Sequence, residues 1–286
     1  MPRYLDPKSD LVFKKIFGEH PHVLKDFLNA ILPLPEDCVI EDLDYLPSEN
    51  VPDIAPLKYS IVDVRCFDTQ GRHFIVEMQL QWTSDFIKRM LFNTATTYSR
   101  QLKKGTDYEC LSPVYGLALL DATFSQDQEW FHHYRMSNVH NSNQHLDDLQ
   151  LVLIELPKFK PTSITAKRAT VLWLRFLKEI NEQTETLDPS FLEVNSIKEA
   201  ISLLEIASYS EAELLAYDKT WDAVSSERTL FNGRYKEGLA EGKEEERNKL
   251  ILSMHRSGLP IEQISHIAQL SENQVQSIIT SNKNSL

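Results

Sequence analysis

Apolar side chains open the chain at helical spacing. Leu11, Val12, Phe13, Ile16 and Phe17 form one broad stripe behind Ser9, an expected N-cap, and Gly18 supplies the stop. Val23, Leu24, Phe27, Leu28 and Ile31 form a second stripe, predicting a helix over about His22–Leu32 that ends ahead of Pro33 and Pro35. A proline- and acid-rich stretch follows and reads as loop with a short strand. The period then changes from helical to alternating. Two runs rich in β-branched and aromatic residues, YSIVDVRCF and RHFIVEMQLQW, flank the turn signal DTQG and predict a hairpin. Helical spacing returns from Thr83 to about Lys104, through Phe86, Met90, Leu91, Ala95 and Tyr98, and stops at Gly105. VYGLALLDATF is apolar almost throughout, as suits a strand covered on both faces. DLQLVLIELPKF predicts a further strand stopped by Pro157, and the polar stretch before it, from Arg135 to Asp148, reads as loop. Beyond Pro161 the pattern is helical and amphipathic, with Glu237–Gly258 as a long exposed helix.

The expected architecture is therefore α/β, a central mixed sheet flanked by helices, with a C-terminal helical region. Residues 1–160 form the expected core, 161–236 a helical extension, and 237–286 a charged helix and terminal helical hairpin.

The hairpin concentrates the candidate chemistry. With a loop of Thr69, Gln70 and Gly71, and Gly71 in the left-handed position, Asp68 pairs with Arg72. Counting outward then places Asp63 opposite Glu77 on one face, where Cβ atoms stand about 4.5–5.5 Å apart. A two-residue loop or a bulge would turn the two to opposite faces. Gln79 shares the face of Glu77 because side chains alternate along a strand. Two carboxylates in contact repel, and one needs a strongly raised pKa to remain there. A divalent cation removes the conflict, and hard oxygen donors at this separation suit Mg²⁺ or Mn²⁺ with positions left open for water and a phosphate. Gln79 can hydrogen-bond a metal-bound water or a phosphate oxygen, but an amide does not titrate and cannot act as general base. The competing reading is a solvated sheet face that happens to be polar.

Composition narrows the classes. The chain has 286 residues, 42% hydrophobic and 25% charged, enough to bury a sizeable core. Its N-terminus is charged and lacks the apolar run of a signal peptide, and no stretch approaches the roughly 20 apolar residues of a membrane helix. Three cysteines without CxxC spacing point to a reducing cytoplasm. No glycine-rich phosphate loop occurs, which argues against a nucleotide cofactor. A net charge of −12 counts against a protein that coats DNA non-specifically. It leaves room for an enzyme with an acidic metal site and local cationic contacts. Two acid-free basic stretches supply such contacts, Phe86–Thr106 and Leu156–Lys178, unless they are simply solvated helix faces.

Four segments together resemble a known family: DPKSDLVFKKIFG, VDVRCFDTQGRHFIVEMQLQ, YSRQLKKGTDYECLSPVYGLALLD and LVLIELPKF. In this order they are similar to the PD-(D/E)XK nuclease superfamily, and more narrowly to the bacterial recombination-promoting nuclease and transposase family. The resemblance spans about the first 160 residues and implies a restriction-endonuclease-like core. It also implies a metal-dependent DNA endonuclease serving recombination, mobile elements or defence, with Asp63 and Glu77 as metal ligands. Gln79 stands where the superfamily's lysine usually stands, so the metal must lower the water's pKa largely by itself. Asp10 matches an acidic residue that many members place near the metal, though a first-turn aspartate also favours a helix N-terminus. On the following helix Arg89, Tyr98, Gln101 and Lys104 are candidates for DNA phosphate contact. A homodimer would suit double-strand cutting. The alternative is a catalytically degenerate fold used as a DNA- or protein-binding module.

Other features carry less. His132, His133, His140 and His145 with Asp147 and Asp148 fit no zinc template. No motif suggests a serine or cysteine nucleophile. Two short helices around Leu270 and Ser271 resemble a helix-turn-helix, but the second carries only Lys283 as a cation, so a hairpin packing against protein is expected.

Overall fold

A computed structural model describes residues 3–35, 37–46, 64–102, 105, 107–161 and 168–283. Helix α1 (Asp10–Phe13) starts at Ser9, whose hydroxyl accepts the Val12 N–H, and continues as a π-helical stretch over Lys14–Gly18. Helix α2 (Pro21–Ile31) places proline at its first turn, where no amide donor is needed. Strand β1 (Leu43–Tyr45) precedes β2 (Val64–Asp68) and β3 (His73–Gln79), then α3 (Phe86–Ser99), β4 (Val114–Leu120), β5 (Phe131–Asn138) and β6 (Asn141–Glu155). Helices α4 (Arg168–Glu179), α5 (Asn195–Leu204), α6 (Glu211–Arg256), α7 (Ile261–Ala268) and α8 (Glu272–Lys283) complete the chain.

The six strands form one sheet in the order β1-β2-β3-β4-β6-β5. The central pairs β3–β4 and β4–β6 are parallel and the outer pairs antiparallel, so the sheet is mixed as expected. Helix α3 lies against β3, β4 and β6, while α2 packs on β1, α4 and α5. Trp173 of α4 stands edge-on to Phe27 and tilted against Phe17, and donates its indole N–H to Asp26 Oδ2 at 3.0 Å.

The β2–β3 turn matches the expected geometry. Gly71 has φ +80°, and the Asp68 N–H donates to the Arg72 carbonyl at 3.0 Å. Asp68 is 3% exposed and satisfies the turn from within: Oδ1 accepts the Gln70 and Arg72 amides, and Oδ2 accepts Arg72 Nε at 2.7 Å. The ladder then runs Phe67–His73, Cys66–Phe74, Arg65–Ile75 and Val64–Val76.

One expectation fails. The polar stretch after Arg135, read as loop, belongs to the β5–β6 hairpin. Its side chains are mostly exposed, so apolar alternation is missing, and backbone pairing between the two strands supplies the order instead. The long exposed helix also begins earlier than Glu237, at Glu211.

The chain gathers into two compact units, Met1–Asp218 and Lys219–Leu286. In the second, Ile251, Ile264, Val275 and Ile279 form a small core, so α7 and α8 pack on the end of α6. Ser271 and Gln274 close a capping box at α8, each side chain taking the other's amide.

Gly116 of β4 lets α3 approach closely. A Cβ there would lie 2.7 Å from Thr94 Oγ1, 2.9 Å from Leu151 and 3.0 Å from Met90. Gly116→Ala is expected to cost about 1–3 kcal/mol in urea unfolding by overpacking. A cost near zero would mean that α3 is not tightly seated on the sheet.

Candidate functional site

Glu77 and Gln79 end β3, beside Ala118 and Leu120 of β4. Ala118 and Leu120 pack with Phe86 and Met90 of α3, which fixes the face to which Glu77 and Gln79 belong. That face is covered. Glu77 is 1% exposed and Gln79 6%, so the solvated-face reading does not hold. The cover is α3, where Phe86, Met90 and Thr94 seat on the sheet and Arg89 and Asn93, one turn apart, reach β3. Asn93 Nδ2 donates to Glu77 Oε1 at 2.9 Å. Arg89 Nη2 donates to Gln79 Oε1 at 3.0 Å and lies 3.9 Å from Glu77 Oε2.

The other expected site residues are distributed as follows. Asp63 and Lys104 lie outside the described residues. Asp10 is half-buried at the start of α1 and pairs with Lys14 at 3.0 Å. Tyr98 donates its hydroxyl to Asp148 Oδ1 at 3.2 Å. The Gln101 amide is engaged twice with Ser112, donating to its carbonyl at 2.9 Å and accepting its N–H at 2.8 Å. Arg89 and Glu77 are thus brought together, whereas Gln101 braces the chain entering β4.

A second group becomes visible only through the sheet. Ligand atoms of Asp127, His132 and Glu155 all lie within 4.8 Å of one another, close enough to hold a metal ion. Leu120 pairs with Gln79 on one side and Glu155 on the other, so this group stands two strands from Gln79, about 10 Å in backbone terms. Lys158 already serves it, donating to Glu155 Oε1 at 2.8 Å and to Ser125 Oγ at 2.6 Å. Burial pushes the Glu155 carboxyl upward, but hydrogen bonds from Lys158, the Phe124 N–H and His132 outweigh it and leave the group below its ordinary range. The second basic stretch is likewise largely consumed internally: Arg175 binds Glu179 and Asp188, Lys178 caps the carbonyls of Pro157 and Phe159, and Arg168 pairs with Glu193.

A third acidic cluster lies at the same end of the sheet. Asp121 follows β4 and donates its backbone N–H to the Gln79 carbonyl at 2.9 Å. Lys8 Nζ is 3.3 Å from Asp6 and 3.8 Å from Asp121. The Asp6 N–H donates to Tyr217 Oη at 3.0 Å. Burial raises the Asp6 pKa from 3.8 to about 6, against the pull of Lys8. A carboxyl raised in the folded state favours folding below its unfolded pKa, and that contribution is lost as pH rises through the folded value. Stability relative to Asp6→Asn should therefore fall by up to about 3 kcal/mol between pH 4 and 7. Denaturant titrations of both proteins across that range measure it, and a constant difference refutes it.

Three parallel central strands, a buried carboxylate and amide at the carboxyl end of one, and flanking helices define a restriction-endonuclease-like α/β protein. A family model described as PD-(D/E)XK nuclease family transposase matches residues 7–231, and the chain belongs to that family. Comparisons with curated proteins and with solved structures returned no match. Among the described residues, no helix is long and apolar enough to cross a membrane.

Proposed function

We propose that the protein is a Mg²⁺-dependent DNA endonuclease, with Mn²⁺ as a substitute ion. The observation that carries this reading is the buried Glu77 carboxylate beside Gln79 beneath a cationic helix. A carboxylate inside a protein is costly unless it is paired or binds metal. The donors fit the ion: Glu77 and Gln79 offer hard oxygens, and Asp63, next in the chain to Val64, offers a third. When bound, a divalent ion lowers the pKa of a coordinated water and offsets charge on the phosphate. Glu77 and Asp63 would hold it, while Gln79 orients the attacking water through its amide. Arg89, with Lys88 and Arg100 on and just beyond α3, would face the DNA backbone; Tyr98, Gln101 and Lys104 are further candidates for phosphate contact. Asp10 is a candidate for the metal's outer surroundings. We infer a cytoplasmic protein, its three cysteines unpaired, acting as a homodimer on DNA in recombination, mobile elements or defence.

A second reading rests on Arg89 and Asn93, which balance the Glu77 charge and bond its Oε1 from within the protein and so suit a non-cleaving binding module. Supercoiled plasmid incubated with wild type and Glu77→Gln, in Mg²⁺ and in chelator, separates the two. Nicking by the wild type in Mg²⁺ alone supports the enzyme. Equal nicking by both proteins, or none by either, refutes the assignment.

A further inference from the structure

Two arginines in this fold are held very differently. Arg72 is 5% exposed and closely paired, with Nε 2.7 Å and Nη2 2.6 Å from Asp68 Oδ2 and Nη1 2.7 Å from the Cys38 carbonyl. Arg89 approaches a carboxylate buried just as deeply, yet stops 3.9 Å short of Glu77 Oε2. It makes one hydrogen bond within the site, to Gln79 Oε1, and its buried Nε has no hydrogen-bond partner. Its guanidinium also lies 5.1 Å from the Phe86 ring centroid, and its side chain remains 30% exposed. Planar guanidinium groups pair with carboxylates at short range and in bidentate fashion when geometry permits. A long contact with donors unused is the arrangement of a cation that balances charge without being locked in place. The open side of Arg89 gives it somewhere to go.

We propose that Arg89 is a built-in placeholder for the metal: it neutralises Glu77 and orders Gln79 in the ion-free protein, and an entering divalent cation must displace it toward solvent. This rests on the metal reading of the site given above. Two cations cannot share the oxygens of Glu77 and Gln79 without repulsion, so ion binding and the inward position of Arg89 exclude one another. The displaced guanidinium, carried by α3, turns to the side from which a polyanion would approach. Metal entry and phosphate capture are thereby coupled through one side chain, and phosphate in turn favours the metal-bound arrangement by reciprocity of linkage.

The test is Mn²⁺ titration of the full chain by calorimetry, with melting curves in chelator and in Mn²⁺. It compares wild type, Arg89→Met, Arg89→Lys and Glu77→Gln. Methionine keeps an apolar stem over Phe86 and removes the charge. Arg89→Met should bind Mn²⁺ about 5-fold or more tightly than wild type, a coupling of ordinary allosteric size. It should also melt earlier in chelator and gain more from Mn²⁺, whereas Arg89→Lys should stay near wild type. If Arg89→Met binds Mn²⁺ no more tightly while Glu77→Gln loses binding, the placeholder role is overturned and the metal site stands. If Glu77→Gln binds Mn²⁺ as wild type does, the metal site itself is wrong, and the placeholder falls with it.

Discussion

Glu77→Gln is expected to lower Mg²⁺-dependent nicking by more than ~100-fold, beyond the roughly 10–100-fold that a residue merely supporting a metal ligand contributes, because Glu77 is itself the proposed ligand. The substitution keeps shape and volume at a position only 1% exposed, so the packing of α3 on β3 is preserved. Asn93 can still donate to the carbonyl oxygen of the new amide, as it does to Glu77 Oε1 at 2.9 Å. Only the negative charge is removed. Circular dichroism and melting should therefore change little while cleavage collapses. Loss of cleavage together with loss of fold would leave the charge untested, so the melting curve belongs to the same experiment. Retained cleavage with an intact fold would remove Glu77 from the chemistry.

The largest structural effect is expected at the turn that sets the hairpin register. Arg72→Ala leaves Asp68 buried at 3% exposure with its guanidinium partner gone. Removing one member of a buried ion pair costs about 3–5 kcal/mol, because the remaining charge stays desolvated. In a unit of this size that corresponds to roughly 10 °C in melting temperature. Asp68→Ala should cost a similar amount, since Asp68 also accepts the Gln70 and Arg72 amides. The double variant should cost clearly less than the two single costs summed, because neither charge is then abandoned. Additive costs would show that the pair is not a unit. The same comparison made on nicking tests whether the hairpin positions Glu77.

The hairpin was legible in the sequence because its determinants are local. An aspartate, two polar residues and a glycine dictate the turn, and the turn dictates which residues share a face. The phase of α3 relative to β3 was not. Helical spacing placed Arg89 and Asn93 one turn apart, but which of them would meet Glu77 depends on how Gly116 lets α3 settle. The contact of Arg89 with Glu77 and Gln79 was therefore not foreseen from helical spacing. The group of Asp127, His132, Glu155 and Lys158 was invisible for a related reason. These residues meet only because β5 pairs with β6, and β5 lacks the apolar alternation that announces a strand. The family likeness ran further than any spacing argument, since four segments in a fixed order specify more than one pair of carboxylates.

The strip before α1 is fastened by residues made much later. Tyr4 bridges to Glu205, the Leu5 N–H donates to the Leu204 carbonyl at 2.9 Å, and the Asp6 N–H donates to Tyr217 Oη at 3.0 Å. During synthesis this strip leaves the ribosome well ahead of its partners, which follow some 200 residues behind. At about 5–20 residues per second, it waits roughly ten seconds or longer before it can dock. Tyr4 and Leu5 therefore lack these partners in a nascent or truncated chain ending before Leu204. Assembly of that end of the molecule reports that the chain has been made into α6.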